Sequence, residues 1–179
     1  MVVRLRCIVL ILPLILLSAC GSSDDKQDQM AEPAPAPAPP VRGTLTQSPP
    51  PRTASLTSTD LLATLTADST GQQILQLITA PKCGIDVHKL QYNTVDPAGQ
   101  PTTASGALMV PTGSDTACQG ARPIIVYAHG TTIERAYDIG NIADQDNAEG
   151  LLIAAAFAAQ GYLVVAPNYA GYDTSALSY

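Results

Sequence analysis

His129-Gly130-Thr131-Thr132 stands directly after the apolar run Pro-Ile-Ile-Val-Tyr-Ala at 123–128. A short run of that kind reads as a strand buried on both faces of a parallel sheet. A glycine just past its end lets main chain come close to a bound group, and open α/β sheets place their sites at such strand ends. Main-chain N–H groups exposed there can hold a negative charge developing on an oxygen, an effect of roughly 3 to 4 kcal/mol per donor. The other chemistry-bearing residues are less organised. Glu134, Asp138, Asp144, Asp146 and Glu149 follow the loop. Asp144-x-Asp146 lacks the EF-hand spacing, so a solvated loop and helix N-terminus is expected, without metal. Cys83 and Cys118 have only His88 and His129 to join them, so no metal is expected there either.

The elements that must position this loop can be read from periodicity. Ser58 or Thr59 can cap a helix beginning near Asp60, with Leu61, Leu62 and Leu65 on its apolar side. Gly71 is expected to break it, and 72–78 reads as a second helical piece. Residues 85–95 and 102–110 read as two strands joined by the turn Asp-Pro-Ala-Gly-Gln-Pro, with Pro111 at the end of the second. After the run 123–128, residues 149–160 are helical, with Asn147 a cap and Gly161 a stop. Residues 162–167 form a second buried-strand run. Strand, crossover helix and strand make a βαβ unit and hence a parallel pair. The expected fold class is α/β: an antiparallel hairpin, then a parallel βαβ unit.

The chain of 179 residues carries 9 basic and 15 acidic side chains. Without Arg4 and Arg6 the count is 7 against 15, a charge of −8, which argues against a nucleic-acid partner. Arg4 and Arg6, then an apolar stretch at 7–17, form the parts of a secretory signal. Leu17-Ser18-Ala19-Cys20 resembles the lipobox of bacterial lipoproteins. That resemblance implies a signal peptide at 1–19, diacylglyceryl transfer to Cys20, and a membrane partner through the lipidated Cys20. Several acyl chains anchor stably where one does not. Gly21, in place of the Asp that favours inner-membrane retention in enterobacterial lipoproteins, favours the outer membrane of the cell envelope.

Residues 20–58 read as a lipidated spacer, since 21–58 hold eight of the 15 prolines. Such a run favours polyproline II at about 3.1 Å per residue and cannot bury enough apolar surface to fold. The folded part is then 59–179. With Cys7 in the signal and Cys20 lipidated, Cys83 and Cys118 remain in an oxidising compartment, which suggests one disulfide. It closes a loop of 36 residues, worth roughly 3 to 4 kcal/mol on the chain-entropy model.

Tyr-Ala-His-Gly-Thr-Thr at 127–132, followed by Ala-Gln-Gly-Tyr-Leu-Val-Val-Ala-Pro-Asn-Tyr-Ala-Gly-Tyr at 159–172, resembles the N-terminal half of an α/β-hydrolase. It is most similar to secreted esterases and lipases with HG-x after one strand and P-[DN]-Y-x-G after the next. The resemblance runs from about Cys83 to Tyr172. It implies that Gly130 and Thr131 sit at the oxyanion hole, with the Thr131 N–H as donor. It gives His129 a loop-orienting role, outside the triad. It places Asn168, Tyr169 and Gly171 at the pocket rim, Asn168 standing where the family more often has Asp. The implied substrate is a small-molecule carboxylic ester, and no cofactor is implied.

The family also needs G-x-S-x-G, then an acid, then a histidine. Ser105, Ser175 and Ser178 lack that context, and His88 precedes the parallel unit. No catalytic triad residue is assigned within these 179 residues. Two readings follow. In the first, the chain is the N-terminal fragment of a lipid-anchored ester hydrolase, inactive alone. Its run Ile124-Ile125-Val126 then exposes an apolar edge, an aggregation hazard. In the second, it is a short non-enzymatic envelope lipoprotein that uses half a hydrolase fold as a binding module.

Overall fold

A computed structural model describes residues 38–143 and 148–177. The signal at 1–19, Cys20, the spacer through Pro37, Asp144, Asp146, Asn147 and Ser178 lie outside the described residues. Five strands form one sheet in the order β1-β2-β3-β5-β4. They are β1 (Arg52–Leu56), β2 (Gly84–Val95), β3 (Pro101–Thr112), β4 (Ile124–Val126) and β5 (Leu163–Tyr169). The helices are α1 (Ser58–Ala67), α2 (Ser69–Leu77) and α3 (Ala148–Ala156), and short 3₁₀ turns cover Thr116–Cys118 and Ala158–Gln160.

The hairpin and the parallel unit form as expected. β2 and β3 pair antiparallel from Gly84↔Thr112 to Val95↔Pro101. Their turn is closed by the Asp96 carboxylate, which accepts from the Gln100 N–H at 2.7 Å, and by Gly99 at φ 79°. Pro111 lies within β3 rather than ending it, opposite Ile85. β4 and β5 pair parallel through Ile124↔Leu163 to Val126↔Val165, with α3 as crossover. Gly161 stops that crossover in the left-handed region at φ 103°. Between β3 and β5, Gly106 permits a close approach, since a Cβ there would lie 2.6 Å from the Ala166 carbonyl oxygen.

Three expectations change. The fold begins before residue 59: Arg52–Leu56 pairs antiparallel with β2, and Leu45 bridges Tyr92. The segment is short and polar, and only the waiting edge of β2 makes it a strand. The cap of α1 is Thr57, which exchanges hydrogen bonds with Asp60 in a capping box. Gly71 does not break a helix. It lies in the first turn of α2, whose cap is Asp68, and a Cβ on it would strike the Leu65 carbonyl.

As expected for this chain taken alone, β4 is an exposed apolar edge and not a strand buried on both faces. Ile124 is 66% and Val126 74% exposed. The core instead joins the α1–α2 pair and α3 to the sheet, through Leu61, Leu65, Ile74, Ile85, Val87, Met109, Ile153 and Val164. The Cys83–Cys118 disulfide is present, with the two Cα atoms 5.6 Å apart. It ties the start of β2 to the chain that enters β4.

Candidate functional site

The His129–Thr132 loop leaves the C-terminal end of β4, and the segment after β5 closes over it. Main-chain carbonyls accept in the hydrogen bonds that join them. The Tyr169 hydroxyl donates to the His129 carbonyl at 3.2 Å. The Tyr172 hydroxyl donates to the Thr132 carbonyl at 2.7 Å, and the Asp173 N–H to the Arg135 carbonyl at 2.7 Å. In return the Arg135 guanidinium donates to the Ser175 carbonyl at 3.0 Å. Tyr169 and Asp173 reach these positions with φ of 60° and 49°. Non-glycine residues in that region cost of order 1 to 3 kcal/mol each, so these hydrogen bonds hold a strained loop in place.

His129 sits in the middle, only 6% exposed. Its ring stacks on Tyr169 at 4.3 Å and tilts against Tyr137 at 4.7 Å, with Tyr172 edge-on at 5.5 Å. Its Nδ1 lies 2.7 Å from the Gly130 carbonyl oxygen. A carbonyl only accepts, so Nδ1 carries the proton. Buried among tyrosines, His129 organises the loop.

The loop amides divide. The Gly130 N–H donates to Glu149 at 3.2 Å. Thr131 is exposed, and among the described residues its N–H has no acceptor. Glu149, in the first turn of α3, also accepts from the Tyr127 hydroxyl at 2.7 Å and the Tyr137 hydroxyl at 3.0 Å. Burial works against its charge, but these donors and nearby His129 outweigh it and hold Glu149 below the usual carboxylate range. Tyr127 is pushed up to about 12 by the Glu149 hydrogen bond and then by burial. Tyr137 is raised further, by burial first and Glu149 second.

Asn168 is not at a rim. It is fully buried at the end of β5 and links three segments. Its Nδ2 donates to Ser105 Oγ and Asp138 Oδ1, each at 3.0 Å, while its Oδ1 accepts from the Ile139 N–H at 2.9 Å. An amide can donate and accept at once where a carboxylate only accepts, which is why Asn serves here. Ser105, also buried, donates to Asp173 at 2.6 Å. Lys89 bridges Asp173 at 2.8 Å and Asp138 at 3.1 Å. Burial opposes the charge of Asp173, but Lys89 and Ser105 hold it below its ordinary value. A cleft of about 340 Å³ opens beside Lys89, Asp138, Asn141 and Asp173.

Tyr169 is partly exposed and belongs to the clamp, and Gly171 is buried at φ 106°. Ser175 is buried and donates to the Thr103 carbonyl. His88 lies in β2 with a ring nitrogen 3.1 Å from the Pro50 carbonyl. The roles of Glu149 and Asp138 were missed in the sequence, where both read as solvated acids. Glu149 carried one usable signal, its place in the first turn of α3.

No protein-family profile matches the chain. No curated protein matches it. Solved structures do. The rice cell wall degrading esterase LipA from Xanthomonas oryzae is 30% identical with a TM-score of 0.61, over 78% of this chain and 32% of that one. A ligand-bound form of the same esterase matches at 29% identity and TM-score 0.59, with the same coverage. A proposed hydrolase from Legionella pneumophila matches at 22% identity and TM-score 0.53, over 72% of this chain and 31% of that one. The chain therefore has an α/β-hydrolase-like fold, and it spans about a third of the length of the structures it matches.

Proposed function

We propose that this chain is the N-terminal part of a lipid-anchored serine hydrolase of carboxylic esters, held at the bacterial cell envelope, most simply the outer membrane, through Cys20. The observation that carries the reading is the Thr131 N–H, which has no acceptor among the described residues, on a loop tied to the segment after β5 and to Glu149 of α3. In that role it donates to the oxyanion of the tetrahedral intermediate. The surrounding ties spare it reorganisation as charge develops. A second donor and the nucleophile, acid and histidine belong to segments that these 179 residues do not include, since no G-x-S-x-G occurs in them. The likeness to an esterase supports the ester class. Asn168 stays outside the pocket in this reading and holds its floor.

Two assays test the proposal. The purified 179-residue chain should not turn over a short-chain p-nitrophenyl ester. The nucleotide sequence past the Tyr179 codon should encode, in some phase, G-x-S-x-G and later Asp and His, and the product carrying them should hydrolyse the ester. In that product Thr131→Pro, which removes the N–H, should lower kcat by roughly 10²- to 10³-fold. Turnover by the 179-residue chain overturns the first expectation. A stop codon with no such remnant favours the non-enzymatic binding module.

A further inference from the structure

We propose that Glu149 is the positioning residue of the oxyanion loop, fixing the Gly130 amide so that the adjoining Thr131 N–H is presented in one direction. The inference rests on the ester-hydrolase reading and adds to it a residue that the HG motif does not contain.

Two consecutive peptide planes carry the argument. The first runs from the His129 carbonyl to the Gly130 N–H. Tyr169 holds its carbonyl and Glu149 holds its N–H. The second runs from the Gly130 carbonyl to the Thr131 N–H. His129 Nδ1 holds its carbonyl. A peptide is planar and trans, so holding the carbonyl sets the direction of the N–H on the other side. Only the φ and ψ of Gly130 remain soft between the planes, and glycine is the residue least able to restrain them itself. Glu149 supplies the outer restraint. Remove it, and the first plane is held by Tyr169 alone.

The geometry requires a carboxylate. Two phenol hydroxyls and one N–H converge on this group, and an ionised carboxylate accepts at both oxygens while offering no donor. Its place in the first turn of α3 adds the favourable end of the helix dipole. Gln at 149 keeps the shape but has one accepting oxygen, so a donor would face a donor unless a tyrosine turned.

The test is hydrogen exchange on the dilute, full 179-residue chain, read at Gly130, together with an ultraviolet titration of the tyrosines. In Glu149→Gln, Gly130 exchange should rise about tenfold, as for loss of one charge-assisted hydrogen bond, while amides of β2 and β3 keep their rates. Tyr127 should titrate back toward 10. In Tyr137→Phe, which leaves Glu149 on Gly130, the Gly130 rate should hold; a rise equal to that of Glu149→Gln means general loosening and overturns the proposal. Unchanged Gly130 exchange in Glu149→Gln overturns it as well. Should Glu149→Gln cost the β2 and β3 protection, Glu149→Asp decides, because it keeps the charge and withdraws the carboxylate by one methylene. A tenfold rise confined to Gly130 then supports the proposal, and an unchanged rate sinks it. None of these readouts needs ester turnover, so failure of the ester assay counts against the functional reading alone.

Discussion

The two edges of the sheet are finished differently. The β1 edge is short, irregular and charged: its register shifts between Arg52 and Ala54, and Asp86 behind it takes Arg52 at 2.8 Å and Ser55 at 2.6 Å. Bulges and charges of this sort discourage a further strand. The β4 edge has neither. Its three residues are all aliphatic, two of them mostly exposed, and the loop it carries adds Ile133, 94% exposed. One edge is closed to pairing and the other is suited to it. The site loop grows from the second and is held by the segment after β5 and by Glu149 of α3.

That contrast can be broken at several points. The largest effect is expected at the disulfide, which links β2, on the finished side, to the entry of β4. Cys83→Ser with Cys118→Ser should cost about 3 to 4 kcal/mol from the chain-entropy term, read as a lower denaturation midpoint under non-reducing conditions.

Next comes the polar network under the clamp. Asp173→Asn leaves Lys89 with Asp138 alone and should cost about 2 kcal/mol. Because the folded pKa of Asp173 lies below its ordinary value, its contribution is complete above the unfolded pKa and is lost as pH falls through the folded one. The stability difference between Asp173→Asn and the natural chain should therefore shrink below about pH 4. A difference that stays constant down to pH 2 counts against the ionic role.

At the open edge, Val126→Lys should raise the concentration at which the chain self-associates by about tenfold, since like charges facing each other are costly. Light scattering after size exclusion measures this. The same change at Thr53 in β1 should do little, and equal effects at both edges would erase the distinction drawn between them. The smallest effect is expected for Arg52→Ala. An exposed ion pair contributes about 0 to 1 kcal/mol, so thermal unfolding should barely move.

Much of the architecture was legible in the chain. Alternation and a strong turn marked β2 and β3, continuous apolar runs marked β4 and β5, and Gly161 marked the end of the crossover. Hairpins and βαβ units are local, and local patterns announce them. β1 was missed because a five-residue polar segment becomes a strand only by pairing with an edge that lies well beyond it in the chain. The β4 run reads as buried by composition, and its place at the end of the sheet order is what exposes it. An apolar run states a preference for neighbours, whereas the sheet order decides how many it has.

The site divides along the same line. Residue types alone determined that a glycine loop follows a strand end, that His129 and Thr131 flank that glycine, and that two cysteines are left to pair. The tertiary structure decided what each polar side chain touches. It moved Asn168 from a rim to a buried junction between Ser105, Asp138 and Ile139. It took Glu149 from a solvated helix start to the acceptor beneath Gly130. The physical reason is range: backbone preference and hydrophobic period act over a few residues, while these hydrogen bonds join positions 19 to 63 residues apart, which only the folded chain brings within reach.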